Sequence, residues 1–309
     1  MKDRAWCLKS SDCIGSANPD STGDSAVLRP LRRDMILSMS VFQRPVSDYM
    51  SSPVCTVSAD DTVEDANKIM SEKRISCLAV LGRDGSPAGV VSRSDLLRIA
   101  RVMVYATGSP MALQLPSMCV GDLMTPKFFA VSPRHSLIDA AQEMVDKRIH
   151  RVFVVDKSTL LGVVSTKDLM RAIIEAKVPT PISELMTVPV MTVESSAPLS
   201  EAVTMLSRAR IGGVVVMENG VPVGIFTQEE ALAARDRPGQ SPTDEAMSQA
   251  MLCLPVTTPI FRAAGFTVST RARRVLAIDH HHLKGVLTGL DFARCVLPPP
   301  PAAKVAQSS

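Results

Sequence analysis

The sequence has little net charge, no long apolar run and no closely spaced cysteine pair. Thirty-four basic residues stand against 31 acidic ones, a formal charge of +3 over 309 residues, which leaves no broad electrostatic footprint for nucleic acid or an anionic membrane surface. No apolar stretch approaches the roughly 18 residues that a membrane helix needs. The opening MKDRAWCLKSSDCIGS lacks the continuous apolar segment of a signal peptide. The expectation is a cytoplasmic chain with neither a membrane nor a nucleic-acid partner. Of the seven cysteines, Cys7 and Cys13 lie in a polar leader, and Cys55, Cys77, Cys119, Cys253 and Cys295 are scattered among apolar neighbours. They are read as buried, reduced thiols, not as metal ligands. The triplet His280, His281 and His282 is read as a surface loop, because consecutive residues in a short turn do not converge on one ion. No nucleophile-base pair and no Walker-type loop occurs, so neither a catalytic residue nor a metal is expected.

What is present is a fourfold internal repeat. The segments VSDYM, VGDLM, ISELM and TDEAM end at Met50, Met124, Met186 and Met247, and 39, 38, 38 and 38 residues later stand Gly89, Gly162, Gly224 and Gly285. Each glycine opens a version of one string: GVVSRSDLL, GVVSTKDLM, GIFTQEEAL and GVLTGLDFA. Constant spacing over four copies marks a repeat architecture. Eleven residues after each methionine, at Asp61, His135, Ala197 and Thr258, a helix is expected to begin, with Thr62, Ser136, Pro198 and Pro259 in its first turn. Leu137, Ala140, Ala141, Met144 and Val145 then follow at the spacing of one helical face. The β-rich runs CLAVL, RVFVV, GVVVM and RVLAI come next, then a turn, then the strand that carries the string. Its last residues open a second helix. The fold class is α/β (α+β), four β-α-β-β-α units at residues 43–102, 117–176, 179–236 and 240–297, with a flexible leader over 1–42 and a flexible Pro-rich tail over 298–309. Units this small do not bury a sufficient core alone, so they are expected to pack in pairs, first with second and third with fourth. A cut near residues 176–181 is expected to leave two stable halves.

Four β-α-β-β-α units ending in Gly-apolar-x-Ser/Thr-x-x-Asp resemble the cystathionine beta-synthase (CBS) domain family, whose units pair into two-repeat Bateman modules. The likeness covers nearly all of the chain between leader and tail. The four-repeat layout resembles the gamma subunits of AMP-activated protein kinase and stand-alone bacterial proteins of the same design, and RIHRVFVVD resembles a gamma-subunit segment that meets nucleotide phosphates. The resemblance implies a non-catalytic regulatory sensor that binds an adenine nucleotide between paired repeats and signals to a partner protein, with self-association through the modules. It implies that Asp95, Asp168 and Asp291 accept the ribose hydroxyls, with Ser92, Ser165 and Thr288 near the ribose and α-phosphate. A carboxylate with two acceptor oxygens suits a vicinal diol. The third repeat departs from the pattern with Thr227 and Glu230, whose longer side chain shifts the acceptor. Phosphates need cations, and His150, Arg151, Arg273 and Arg274 interrupt or open apolar strands, where charge is costly unless it faces a ligand or solvent. Arg148 belongs to a set with Arg74, Arg210 and Arg271, each 24 residues after its methionine, where a helix C-terminus also favours a cation.

Two alternatives stay open at this level. Ser-x-x-Asp at a helix start also serves as a capping box, and the repeats can serve as a ligand-free structural or dimerisation module. No cofactor is obligatory. The ribose motif reads only what AMP, ADP, ATP, S-adenosylmethionine and cyclic dinucleotides share.

Overall fold

A hydroxyl or a proline marks the start of the first helix in every repeat, one residue outside the expected place. In the computed structural model, which describes residues 39–298 apart from 108, 109, 127, 158 and 281, Thr62, Ser136, Pro198 and Pro259 are N-caps and not first-turn residues. Thr62 and Ser136 close capping boxes with Asp65 and Asp139, while the prolines supply a fixed φ where no amide hydrogen is needed. The first repeat runs β1 (Thr56–Ser58), α1 (Val63–Glu72), β2 (Cys77–Leu81), β3 (Pro87–Ser92) and α2 (Arg93–Thr107). The second runs β4 (Ala130–Val131), α3 (Leu137–Lys147), β5 (Arg151–Asp156), β6 (Thr159–Ser165) and α4 (Thr166–Ala176). The third runs β7 (Thr192–Glu194), α5 (Leu199–Arg208), β8 (Gly213–Glu218), β9 (Val221–Thr227) and α6 (Gln228–Ala233). The fourth runs β10 (Leu252–Pro255), α7 (Ile260–Thr270), β11 (Val275–Asp279), β12 (His282–Leu287) and α8 (Gly289–Val296). The expected flexible leader and tail fall outside the described residues, save for 39–42 and 298.

Each repeat forms its own three-stranded sheet, with the first strand parallel to the second and the second antiparallel to the third. The parallel pair needs a crossover, and the first helix provides it. The turn from that helix to the central strand is made by the arginine set: Arg74, Arg148, Arg210 and Arg271 all hold left-handed backbone, with φ of 53, 52, 50 and 57°. That conformation disfavours a side chain by about 1–2 kcal/mol. The position is therefore held by the tertiary structure around it.

The segment ending in each repeat's methionine does not pack on its own repeat. Ser51 bridges Val163 of the second repeat and Thr125 bridges Val90 of the first; Thr187 bridges Val286 of the fourth and Ser248 bridges Ile225 of the third. The methionines follow the same exchange, Met50 lying against Gly162, Met124 against Gly89, Met186 against Gly285 and Met247 against Gly224. This is why the glycines recur. A Cβ at Gly89 would stand 2.6 Å from the Thr125 carbonyl oxygen and 2.9 Å from the Met124 sulfur. The four units thus pair first with second and third with fourth, as two modules.

The apolar cores run the other way. One unites the helices of the second and fourth repeats, including Leu137, Met144, Leu169, Ile173, Ile260 and Phe292. The other unites the first and third repeats, including Met70, Leu96, Leu97, Leu199, Leu206 and, from β9, Phe226. The linkers join in: Ala112 N donates to Arg237 O at 2.8 Å and Gly239 N to Pro110 O at 2.8 Å. Two separable halves are thus not what the chain builds, because a cut at 176–181 divides both cores. Val178, within that stretch, is itself buried. The cysteine expectation is also corrected in part: the five in the described region are free, but Cys119 and Cys253 are exposed and Cys55, Cys77 and Cys295 only half-buried. Among the described residues no helix is long and apolar enough to cross a membrane, and no group of His, Cys, Asp or Glu could hold a metal ion. His281 lies outside them.

Candidate functional site

The repeated string places its hydroxyl at the end of the third strand and its carboxylate in the first turn of the second helix. All four copies close on themselves. Ser92 donates to Asp95 Oδ2 from its hydroxyl at 2.7 Å and its amide at 3.0 Å; Ser165 does so to Asp168 at 2.7 and 2.8 Å, and Thr288 to Asp291 at 2.8 and 2.7 Å. Thr227 donates to Glu230 in the same two ways, its amide at 3.0 Å, so the longer acid still caps. In three copies an arginine one turn on takes the other oxygen: Arg98 at 3.5 Å from Asp95, Arg171 at 2.9 Å from Asp168, and Arg294 on Asp291.

The three aspartates differ in access. The Asp95 side chain is 18% exposed, that of Asp168 4% and that of Asp291 0%. Asp291 Oδ1 also accepts from Thr187 Oγ1 at 3.0 Å, a partner supplied by the swapped segment of the third repeat. Burial pushes the Asp168 carboxyl above its ordinary value, opposed by Ser165 and Arg171. Asp168 and Asp291 are thus buried groups, whereas Asp95 holds a loosely paired oxygen near solvent.

The second helices begin against one another. Ser94 and Gln228 exchange side-chain hydrogen bonds between α2 and α6, and Gly289, the first residue of α8, lies against Thr166, the first of α4. Around these helix starts the cations gather. Arg151 Nη2 donates to Ser76 Oγ at 2.7 Å and Nη1 to Cys77 O at 3.5 Å. Arg274 lies over Gly212 and Gly213; a Cβ on Gly213 would come within 2.6 Å of its Nη1. The two contacts are equivalent. Positions 26 and 27 after the four methionines read Ser76 and Cys77, His150 and Arg151, Gly212 and Gly213, Arg273 and Arg274. The second and fourth repeats provide bulk and charge there, and the first and third provide room.

Several basic groups here are depressed by burial and then by cationic neighbours. Enclosure by the protein, then Arg273, pulls the Arg274 guanidinium from 12.5 down to about 10, with Glu230 opposing. Enclosure followed by Arg273, Arg151 and Arg271 lowers Lys167, with Asp168 opposing. Arg93 is lowered by burial and by Arg273, with Glu229 opposing. His150 is an exposed residue, yet desolvation by the protein around it, then Arg151 and Arg274, lowers its imidazole from 6.5 to about 4, against a pull from Asp291. Arg274, Lys167 and Arg93 are each destabilised by burial and then by cationic neighbours, which is what a site awaiting an anion looks like. Four of the five sequence-derived phosphate candidates, His150, Arg151, Arg273 and Arg274, meet here. The fifth, Arg148, is exposed at the end of α3 in its left-handed turn.

Sequence reasoning missed Arg93, Lys167 and Glu229, which occupy the first two residues of the second helices. It also missed Gly212 and Gly213. The alternation of small and basic residues at positions 26 and 27 would have disclosed the glycines. Nothing local marks Arg93, whose charged partner, Glu229, comes from another repeat.

Comparison with known proteins bears on the same elements. The CBS-domain family model matches residues 46–101, 120–175 and 182–237, over half of the chain. The fourth repeat lies beyond those matches but carries the same order of strands and helices. Among relatives, the mitochondrial CBS domain-containing protein CBSX3 of Arabidopsis thaliana is 34% identical over 124 residues, covering 39% of this chain and 55% of that one. The gamma-3 subunit of 5'-AMP-activated protein kinase of Sus scrofa is 27% identical over 110 residues, 34% of this chain and 20% of that one. The chain spans about half the length of the curated relatives it matches first. Among solved structures, protein MJ1225 of Methanocaldococcus jannaschii, described as a candidate archaeal homolog of g-AMPK, has the same fold, with a TM-score of 0.70 at 16% identity over 81% of this chain and 99% of that one.

Proposed function

The chain belongs to the CBS-domain family, and on that footing we propose that it is a non-catalytic regulatory sensor whose cationic cluster takes the phosphates of an adenine nucleotide. The observation that carries the reading is the convergence of Arg151, Arg273, Arg274 and His150 on the starts of the second helices, where burial and cationic neighbours lower Arg274 and His150. Guanidinium groups offer paired donors to phosphate oxygens. The amide ends of α2 and α4 add a partial positive charge beside them. The relative named for 5'-AMP activation supports adenine as the base. Asp95 is the ribose acceptor most ready for use, since at Asp168 and Asp291 a ligand must displace Arg171 or Arg294. Ligand charge is relayed to a partner protein through the two cores, each of which joins one repeat of one module to one of the other. Self-association through the modules, residence in the cytoplasm and repeat boundaries at 43–102, 117–176, 179–236 and 240–297 belong to the same proposal.

A second reading, a ligand-free structural module, is favoured by one observation: the capping boxes of the second, third and fourth repeats' strings are complete, and Asp291 has no exposed surface. Mass spectrometry of small molecules released from the purified protein, followed by thermal shift with each, separates the two. A ligand of the folded state at 100 times its dissociation constant stabilises by about 2.7 kcal/mol. A protein that releases no nucleotide, and melts unchanged with AMP, ADP and ATP, is the structural module.

A further inference from the structure

Resting on the nucleotide reading above, we infer that Glu229 is a built-in competitor for the cationic cluster that selects ligands of low charge, favouring a monophosphate over a triphosphate. Glu229 is the second residue of α6, and its counterparts in α2, α4 and α8 are Ser94, Lys167 and Leu290. Only the third repeat puts a carboxylate there. Its Oε2 accepts from Arg93 Nη1 at 3.0 Å and also from Arg273 Nη2, so one oxygen ties a guanidinium of the first repeat to one of the fourth.

The two arginines differ in freedom. Arg93 is 1% exposed, and its Nη2 donates to the Met70 carbonyl at 3.1 Å. A guanidinium so enclosed holds its counter-ion, because an unpaired buried charge is costly. Arg93 therefore fixes Glu229 in place. Arg273 is 36% exposed and turns toward solvent. An incoming phosphate must share Arg273 with a carboxylate that Arg93 does not release.

Two consequences follow from charge alone. Glu229 occupies a donor that a phosphate would use, which weakens every anion. It also repels the bound anion in proportion to the anion's charge, so the penalty on a triphosphate exceeds that on a monophosphate. The cluster is thereby biased toward the less charged ligand even though its cations, counted alone, favour the more charged one.

The test uses inorganic phosphate and tripolyphosphate as probes on the full chain, titrated by calorimetry into the parent and the Glu229→Gln variant. Expected are a gain of about threefold for phosphate and of roughly tenfold or more for tripolyphosphate. Equal gains, no gain, or no binding of either anion by both proteins would overturn the role. Should Glu229→Gln fail to fold with Arg93 left facing an amide, the paired variant Arg93→Gln/Glu229→Gln leaves no buried charge unmatched, and the same change in the ratio is expected. AMP and adenosine on the parent judge the nucleotide reading separately. If AMP binds no better than phosphate, that reading ends, while a shifted tripolyphosphate-to-phosphate ratio keeps the role of Glu229.

Discussion

Met124 of the second repeat packs its side chain on Gly89 of the first, where a Cβ would stand 2.9 Å from its sulfur. The two residues are the landmarks of different repeats, and their contact is the joint of a module. Val90 and Thr125 beside them exchange backbone hydrogen bonds at 3.0 and 2.8 Å, so the chain there has no slack.

Gly89→Ala should therefore destabilise the protein by about 1–3 kcal/mol, the usual result of forcing an atom into filled space. Gly265, in the middle of α7, has nothing within 4 Å of a built Cβ. There the same substitution should stabilise by about 0.5–1 kcal/mol, because alanine favours the helix. Urea denaturation of both variants checks the opposite signs.

The repeat was legible because its signals are local. Glycine recurrence, the apolar face from Leu137 to Val145 and the Ser-x-x-Asp caps each lie within one unit. The pairing of units followed from their size. The direction of the cores did not, since Ile173 and Phe292 bear the same apolar signature whether they face a sequence neighbour or a distant repeat. For the same reason the sequence found Arg151 and Arg274, odd residues in apolar strands, but passed over Arg93 and Glu229, ordinary ones at a helix start.

Asp291→Asn should lower stability more than Asp95→Asn. The buried carboxylate serves Thr288, Thr187 and Arg294 together, and an amide leaves part of that set unmatched at a cost of about 1–3 kcal/mol. Asp95, partly exposed, should lose about 1 kcal/mol as a cap. Equal losses in chemical denaturation would contradict the difference in burial.

His150 sets a pH dependence of definite sign. With a folded pKa of about 4 against an ordinary 6.5, the unfolded chain takes up a proton as pH falls through 6.5 and the folded chain does not until about 4. The folded state therefore loses stability across that window and is unaffected above it. Between pH 7.5 and pH 5 the melting temperature of the parent should fall further than that of His150→Gln. Parallel falls would remove His150 from the account.

Fragments 1–176 and 177–309, expressed separately, should each fail to show a cooperative thermal transition, because each holds one side of both cores. Mixed, they should recover one. Two fragments that melt cooperatively alone would show that the modules are independent.

The most direct test of the phosphate site is calorimetry of AMP and adenosine with the parent and with Arg274→Ala. Loss of a charge-assisted contact removes about 1.5–3 kcal/mol, or roughly ten- to a hundredfold in affinity. The account predicts that loss for AMP, with adenosine binding unchanged. Equal losses for both ligands, or AMP binding untouched, would contradict it.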